Sequence, residues 1–304
     1  MIDAYNHKGI KWLLLILLSS IWGSSYILVK KGLQVFSPVE VATLRIFAGG
    51  LFLLPVSLPR LNKLTYRHYK LLLLSGLMGS FVPAFLVAKA QMKIPSAING
   101  VFNSLTPSCV LLVGILVFQQ KISRSELLGA GLGILGSILL VCCESANQAN
   151  GLNLYAIFPV LVSFLYGSSI NFTKFYLQEL SAQTIASVSL LLVGSIAGIL
   201  LFTQTNFWAK LGTVAGSYQA MTYILVLGMV NLGFAHILFA SLIKLASPVF
   251  ASTISFYIPI IAVTWGLLDQ EVLTWQQYIG ILVIFLGVYF INQYSTTKKN
   301  YIKQ

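Results

Sequence analysis

Trp22-Gly23-Ser24-Ser25, with Lys30 following, is echoed by Tyr166-Gly167-Ser168-Ser169, with Lys174 following, at one offset of 144 residues (22 to 166 and 30 to 174). Each copy sits in the first long apolar stretch of its half of the chain. Outward from these two stretches the sequence alternates apolar runs with short polar joins. Ten runs, at 11–29, 39–58, 68–88, 95–118, 124–143, 153–174, 182–203, 219–242, 248–268 and 275–294, are long enough to cross a hydrocarbon core about 30 Å thick. Five spans per half is an odd number, so the second half is expected to enter the bilayer upside down relative to the first. The fold class expected is therefore all-α integral membrane, ten transmembrane helices as two inverted five-helix repeats, residues 1–147 and residues 148–304 with a C-terminal tail.

Composition points the same way. With 57% hydrophobic and 9% charged residues and a mean hydropathy of +0.86, the chain has too little polar surface to cover a soluble globule. Lys8 and Lys11 precede the first run as they would in a signal peptide, but the run is long and no small-residue cleavage site follows, so it is expected to stay as a helix.

The net charge of +12 is a topology signal. Alternate joins collect Lys8, Lys11, Arg60, Lys63, Arg67, Lys70, Lys121, Arg124, Lys174, Lys244, Lys298, Lys299 and Lys303 on one side, and Lys30, Lys31, Lys89, Lys93 and Lys210 on the other. That bias places both termini in the cytoplasm of a multi-pass protein of the cytoplasmic (inner) membrane. Basic residues near the surface would also meet anionic membrane lipids. Scattered over short joins, they form no nucleic-acid-binding face.

Helix starts carry their own chemistry. Ser37-Pro38-Val39-Glu40, Ser123 with Glu126 and Thr274 with Gln277 each place a hydroxyl three residues before a side chain that bonds back, as a capping box requires. The polar stretch 144–152 reads as the exposed join between the halves. Cys109, Cys142 and Cys143 have no metal-ligand spacing and read as small apolar filler, with no metal and no cofactor implied. Gly129, Gly133 and Gly136, Gly194 and Gly198, and Gly280 and Gly287 recur on single helical faces and allow close backbone approach. Whether they serve packing within a monomer or a homodimer is left open by the sequence.

The doubled pattern resembles the drug/metabolite transporter superfamily, EamA type, over about residues 12–294. The likeness runs from Trp22-Gly23 with Lys30, through Arg45 followed by Ile46-Phe47-Ala48, to Pro107 and the helix with Gly129 and Gly136. In the second half it runs through Tyr166-Gly167, Pro259, Glu271, and Gly280 with Gly287. The resemblance implies a ten-helix fold of two five-helix repeats that moves small molecules. The family pattern also has a Glu before the last helix of each half; Glu271 fits, whereas Gln120 stands in the first half. Both read as loop or cap residues at the membrane surface, where charge costs little. Lys30 and Lys174 end their helices and read as reaching the interface.

Polar groups inside a membrane should face a cavity or a partner helix. In the fourth span Asn99, Asn103, Ser104 and Thr106 are followed by Pro107. In the ninth Ser252, Ser255, Phe256 and Tyr257 are followed by Pro259. Paired interruptions in matching helices point to a midplane substrate site, with Pro107 and Pro259 as hinges. Trp22, Tyr26, Tyr166, Asn171, Asn231 and His236 join this candidate substrate-binding set. For each there is a plainer role: aromatic packing, helix-to-helix hydrogen bonding, or, for His236, a neutral packed histidine. Arg45, the one basic residue deep in a span, reads as attracting an anion or as structurally satisfied.

The function expected is secondary transport of a small neutral or zwitterionic metabolite, such as an amino acid, in the direction of export, by alternating access. A multidrug or cationic-compound exporter, a channel and a lipid flippase are the alternatives. All seven acids lie at or near span ends, so no central carboxylate offers itself as a proton carrier or cation site. An enzyme is not expected, because a single intramembrane histidine without a central acid makes no catalytic constellation.

Overall fold

A computed structural model describes residues 2–120, 123–146, 154–245 and 254–301. Among these residues all regular structure is helical. The helices are α1 (Ile2–Gly32), α2 (Pro38–Phe52), α3 (Leu54–Leu61), α4 (Tyr66–Gly76), α5 (Val82–Ala90), α6 (Ser96–Phe102), α7 (Thr106–Leu116), α8 (Arg124–Ala146), α9 (Ile157–Tyr176), α10 (Ala182–Gln204), α11 (Phe207–Lys210), α12 (Ser217–Val226), α13 (Ala235–Leu245), α14 (Ile254–Leu268) and α15 (Trp275–Tyr301).

Seven stretches are long and apolar enough to span a membrane: Gly9–Gly32, Tyr66–Ala90, Ser96–Leu116, Arg124–Cys143, Leu154–Tyr176, Ala182–Gln204 and Ser217–Phe239. This is fewer than the ten expected. The expected second span is broken into α2 and α3, which meet at 63°. Pro55, in the first turn of α3, lacks the amide that would continue the ladder and clashes with the turn before it. The last two expected spans are present as shorter apolar helices, Tyr257–Leu268 and Trp275–Phe290, and the stretch where the ninth should begin lies outside the described residues.

The predicted capping boxes form. Ser37 Oγ accepts from the Glu40 amide at 3.3 Å while Glu40 Oε2 accepts from the Ser37 amide at 2.7 Å. Glu126 and Ser123 do the same at 2.8 and 3.2 Å, and Gln277 and Thr274 at 2.7 and 3.4 Å. Glu40 has a further partner in Lys210 at 2.6 Å.

Two spans widen into π-helix, over Leu77–Phe81 and over Leu227–Phe234. Pro83, at the start of α5, accounts for the first, because its missing amide leaves the turn before it one bond short.

The glycine faces work as the spacing implied. A Cβ on Gly287 would stand 2.6 Å from the Gly129 carbonyl and the Gly133 amide, so α8 and α15 touch backbone to backbone. Two other contacts cross between the halves of the sequence. A Cβ on Gly23 would stand 2.5 Å from Ile261, two residues past Pro259, and one on Gly167 would stand 2.7 Å from Cys109, two residues past Pro107. Thus α1 leans on α14 and α9 leans on α7, each through the glycine of its repeated motif.

Candidate functional site

Between α1 and the second π segment the predicted residues Trp22, Asn231 and His236 come together. Trp22 Nε1 donates to the Asn231 carbonyl at 3.3 Å, and Asn231 Nδ2 returns a bond to the Ile21 carbonyl at 3.2 Å. The π geometry lets this exchange happen, since a widened turn leaves carbonyls free of the i→i+4 ladder. The Trp22 ring meets His236 edge-on at 6.0 Å and Phe239 at 5.3 Å. His236 also lines a small crevice of about 10 Å³ with Leu53, Val56, Gln183 and Ser187, and its Nδ1 is buried without a hydrogen-bond partner.

One turn along α1, Tyr26 is buried against α6. A Cβ on Gly100 would stand 3.0 Å from the Tyr26 ring. Gly100 is flanked by the predicted Asn99, which is 2% exposed and donates to the Val87 carbonyl at 3.2 Å, and by the half-buried Asn103, three residues on. Asn103–Leu105 forms a turn of 3₁₀-helix ahead of Pro107, the local irregularity expected there. The hydroxyls of Ser104, Thr106 and Ser108 are buried without partners. Pro259 lies inside α14.

Tyr166, on α9, lies within electrostatic range of both Tyr26 and Arg45. Asn171 is engaged in tying helices. Its Nδ2 donates to the Val110 carbonyl at 2.8 Å and the Gly167 carbonyl at 3.0 Å, and its Oδ1 accepts from Gln120 Nε2 at 3.0 Å. Tyr257 is 37% exposed, apart from these contacts. Ser252 and the side chains of Ser255 and Phe256 lie outside the described residues.

One reading from sequence is corrected by the structure. Glu271 is not a solvated surface residue, since only 6% of its side chain is exposed. It accepts from Lys30 Nζ at 2.7 Å, from the Ser96 amide and hydroxyl at 2.9 and 2.8 Å, and from the Ala97 amide at 2.9 Å. Lys30 accordingly does not run out to the interface; it bridges Glu271 and Asp269, each at 2.7 Å, while Lys31 holds the other Asp269 oxygen at 2.5 Å. A carboxylate on the first amides of α6 also meets the positive end of that helix. Hydrogen bonds from Lys30 and Lys31 hold the Asp269 carboxyl below its ordinary range despite some burial. Burial pushes Glu271 up, but Lys30, the Ala97 amide and Ser96 together outweigh it and leave it below the ordinary range. Lys174 differs: it is exposed beside the Phe175 ring at 5.5 Å.

Sequence reasoning missed Glu271 because its partners are 175 and 241 positions away. The charge of Lys30, copied in the motif, was the available hint.

The EamA-like transporter family matches the chain over residues 10–142 and 153–293. The chain belongs to the EamA-like transporter family. An uncharacterized transporter of Archaeoglobus fulgidus is 23% identical over 92% of this chain and 98% of its own length. The uncharacterized inner membrane transporter YedA of Escherichia coli K12 is 26% identical over 89% of this chain and 87% of its own. A Salmonella typhimurium protein named "Probable amino-acid metabolite efflux pump" is 22% identical over 91% of this chain and 92% of its own. A solved crystal structure shares the fold at a TM-score of 0.59, with 14% identity over 92% of this chain and 94% of that one. The EamA-like chain is thus a multi-pass membrane protein of a transporter family, and its buried polar contacts belong to helices that pack against one another within the span.

Proposed function

We propose that this EamA-like protein is a secondary transporter that exports a small neutral or zwitterionic metabolite, such as an amino acid, from the cytoplasm by alternating access. In this reading the chain crosses the inner membrane ten times, as two inverted five-helix repeats with both termini inside. The observation that carries it is the reciprocal crossing of the halves: Gly23 of α1 against Ile261 of α14, and Gly167 of α9 against Cys109 of α7. Each contact lies just past a proline. Two inverted halves joined in that way can exchange conformations about a midplane pocket, which turns an inward-open shape into an outward-open one. In this reading Trp22, Tyr26, Asn99, Asn103, Tyr166, Asn231 and His236 line that pocket, with Pro107 and Pro259 beside the points of bending. The name of the Salmonella relative supports an amino-acid substrate and export.

The test is counterflow in proteoliposomes with a panel of labelled amino acids, together with cysteine labelling from each face. Alternating access predicts uptake into vesicles preloaded with unlabelled substrate and impaired flux in Asn103→Ala and Trp22→Ala. Residues 12–143 and 153–294 inserted with the same polarity would defeat the mechanism.

A further inference from the structure

Arg45 lies near the middle of α2, eight residues past the Ser37 cap, and is 7% exposed. Its Nε is buried with no hydrogen-bond partner. A buried guanidinium ordinarily has a carboxylate beside it. Among the described residues none is available. Glu40 bonds Lys210 and its own cap, Glu126 caps α8, Glu179 bonds His68, and Asp269 and Glu271 hold Lys30 and Lys31. Asp3 and the Glu144 side chain, the remaining acids, lie outside the described side chains, at the far N-terminus and at the end of α8.

Leu44, next to Arg45 on α2, shares an apolar cluster with Trp22, Tyr26 and Tyr166. Tyr26 from α1 and Tyr166 from α9 are within electrostatic range of Arg45, and Trp22 precedes Tyr26 by one helical turn. Gly100 leaves the room on α6 that the Tyr26 ring occupies. An unpaired, planar, permanently charged guanidinium on α2, beside the cluster that holds Tyr26 of α1 and Tyr166 of α9, has the chemistry that receives a carboxylate bidentately, with aromatic faces close by for the rest of a small molecule. If the ligand also carries an ammonium group, the same rings hold it by their π faces.

We infer that Arg45 is the anchor for the carboxylate of the transported molecule, with Tyr26 and Tyr166 as the walls of the site. This rests on the transporter reading above and narrows its substrate to a small monocarboxylate, of which an amino acid is one kind.

The experiment is thermal unfolding of the purified full-length protein with three matched sets of probes: the common L-amino acids, their α-carboxamides, and short straight-chain monocarboxylates. The expected result is a raised midpoint with at least one acid and none with its carboxamide, because only the folded protein binds. Arg45→Gln should weaken that affinity about 30-fold or more, and Arg45→Lys should retain part of it. Response to amino acids alone assigns a zwitterion, and response to both acid sets assigns any monocarboxylate. The inference is overturned if no acid stabilises, if the carboxamides do so equally, or if a folded Arg45→Gln protein responds like the wild type. Should Arg45→Gln not fold, phenylglyoxal labelling of Arg45 in the wild type replaces it: protection by the acid and not by its amide supports the anchor, and no protection removes it. The two readings fail separately. A solute without a carboxylate carried at full rate by Arg45→Gln leaves transport standing and removes the anchor; an acid that binds at Arg45 in a protein that moves nothing does the reverse.

Discussion

The end of α14 and the end of α7 share one backbone plan and differ in chemistry. Both helices finish through a residue in the left-handed region, Gln270 at φ 59° and Gln119 at φ 51°. In both, the next amide turns back to a glycine carbonyl at 2.9 Å, Glu271 to Gly266 and Gln120 to Gly114. The side chain that follows then reaches the helix carrying the repeated motif. Glu271 meets Lys30 on α1 at 2.7 Å, while Gln120 meets Asn171 on α9 at 3.0 Å. One junction is ionic and collects four donated bonds; the other is a neutral amide pair. A charge-assisted bond is roughly twice as strong as a neutral one, so the backbone is doubled while the strength of closure is not.

Removing the ionic junction should have the largest effect. Glu271→Ala leaves Lys30 with Asp269 alone and uncaps α6, and should destabilise the protein by about 2–4 kcal/mol in reversible unfolding. Equal losses from Glu271→Ala and Gln120→Ala would erase the contrast. Next in size is the coupling within the pair. A double-mutant cycle of Lys30→Met and Glu271→Gln should return about 1–3 kcal/mol of interaction, and the cycle of Gln120→Ala with Asn171→Ala under about 1 kcal/mol.

The third expectation concerns pH. Asp269 and Glu271 both titrate below their ordinary ranges when folded. Their contribution is therefore complete above the unfolded carboxyl range near about pH 4, declines beneath it, and is gone once pH has fallen through the depressed folded values. Unfolding midpoints from neutral to acid pH should show that loss in the wild type and a shallower one in Asp269→Asn/Glu271→Gln; parallel curves would refute it. The smallest effect belongs to Gln120→Ala alone, about 1 kcal/mol or less, and without pH dependence.

Much of this was legible in the sequence. The caps at Ser37, Ser123 and Thr274 could be read because a capping box is complete within four residues. The glycine faces of α8 and α15 could be read because small residues at helical spacing have few other uses. The break at Leu53 was not read: Pro55 is visible, but its run remains apolar on both sides, so the pattern suggests one span. The second π segment carries no proline, and nothing local marks it. Glu271 was misread because surface position and burial are distinguished only by Lys30, Ser96 and Ala97, which arrive from distant parts of the chain. At the candidate site, the sequence supplied the polar inventory, and the fold decided how each was used. Asn171 spends its amide on helix ties, whereas Arg45 keeps an Nε with no partner.

The π segments at Leu77–Phe81 and Leu227–Phe234 have a mechanical consequence. A π turn holds one more residue than an α turn over the same rise, so passing that residue along the helix rotates everything beyond it by about 100°. Such a slip past Phe234 would swing His236 away from the Trp22 ring without unwinding the rod. The widened turn would then work as a gear, and a disulfide between positions 22 and 236 would lock it in the one tooth where His236 faces Trp22.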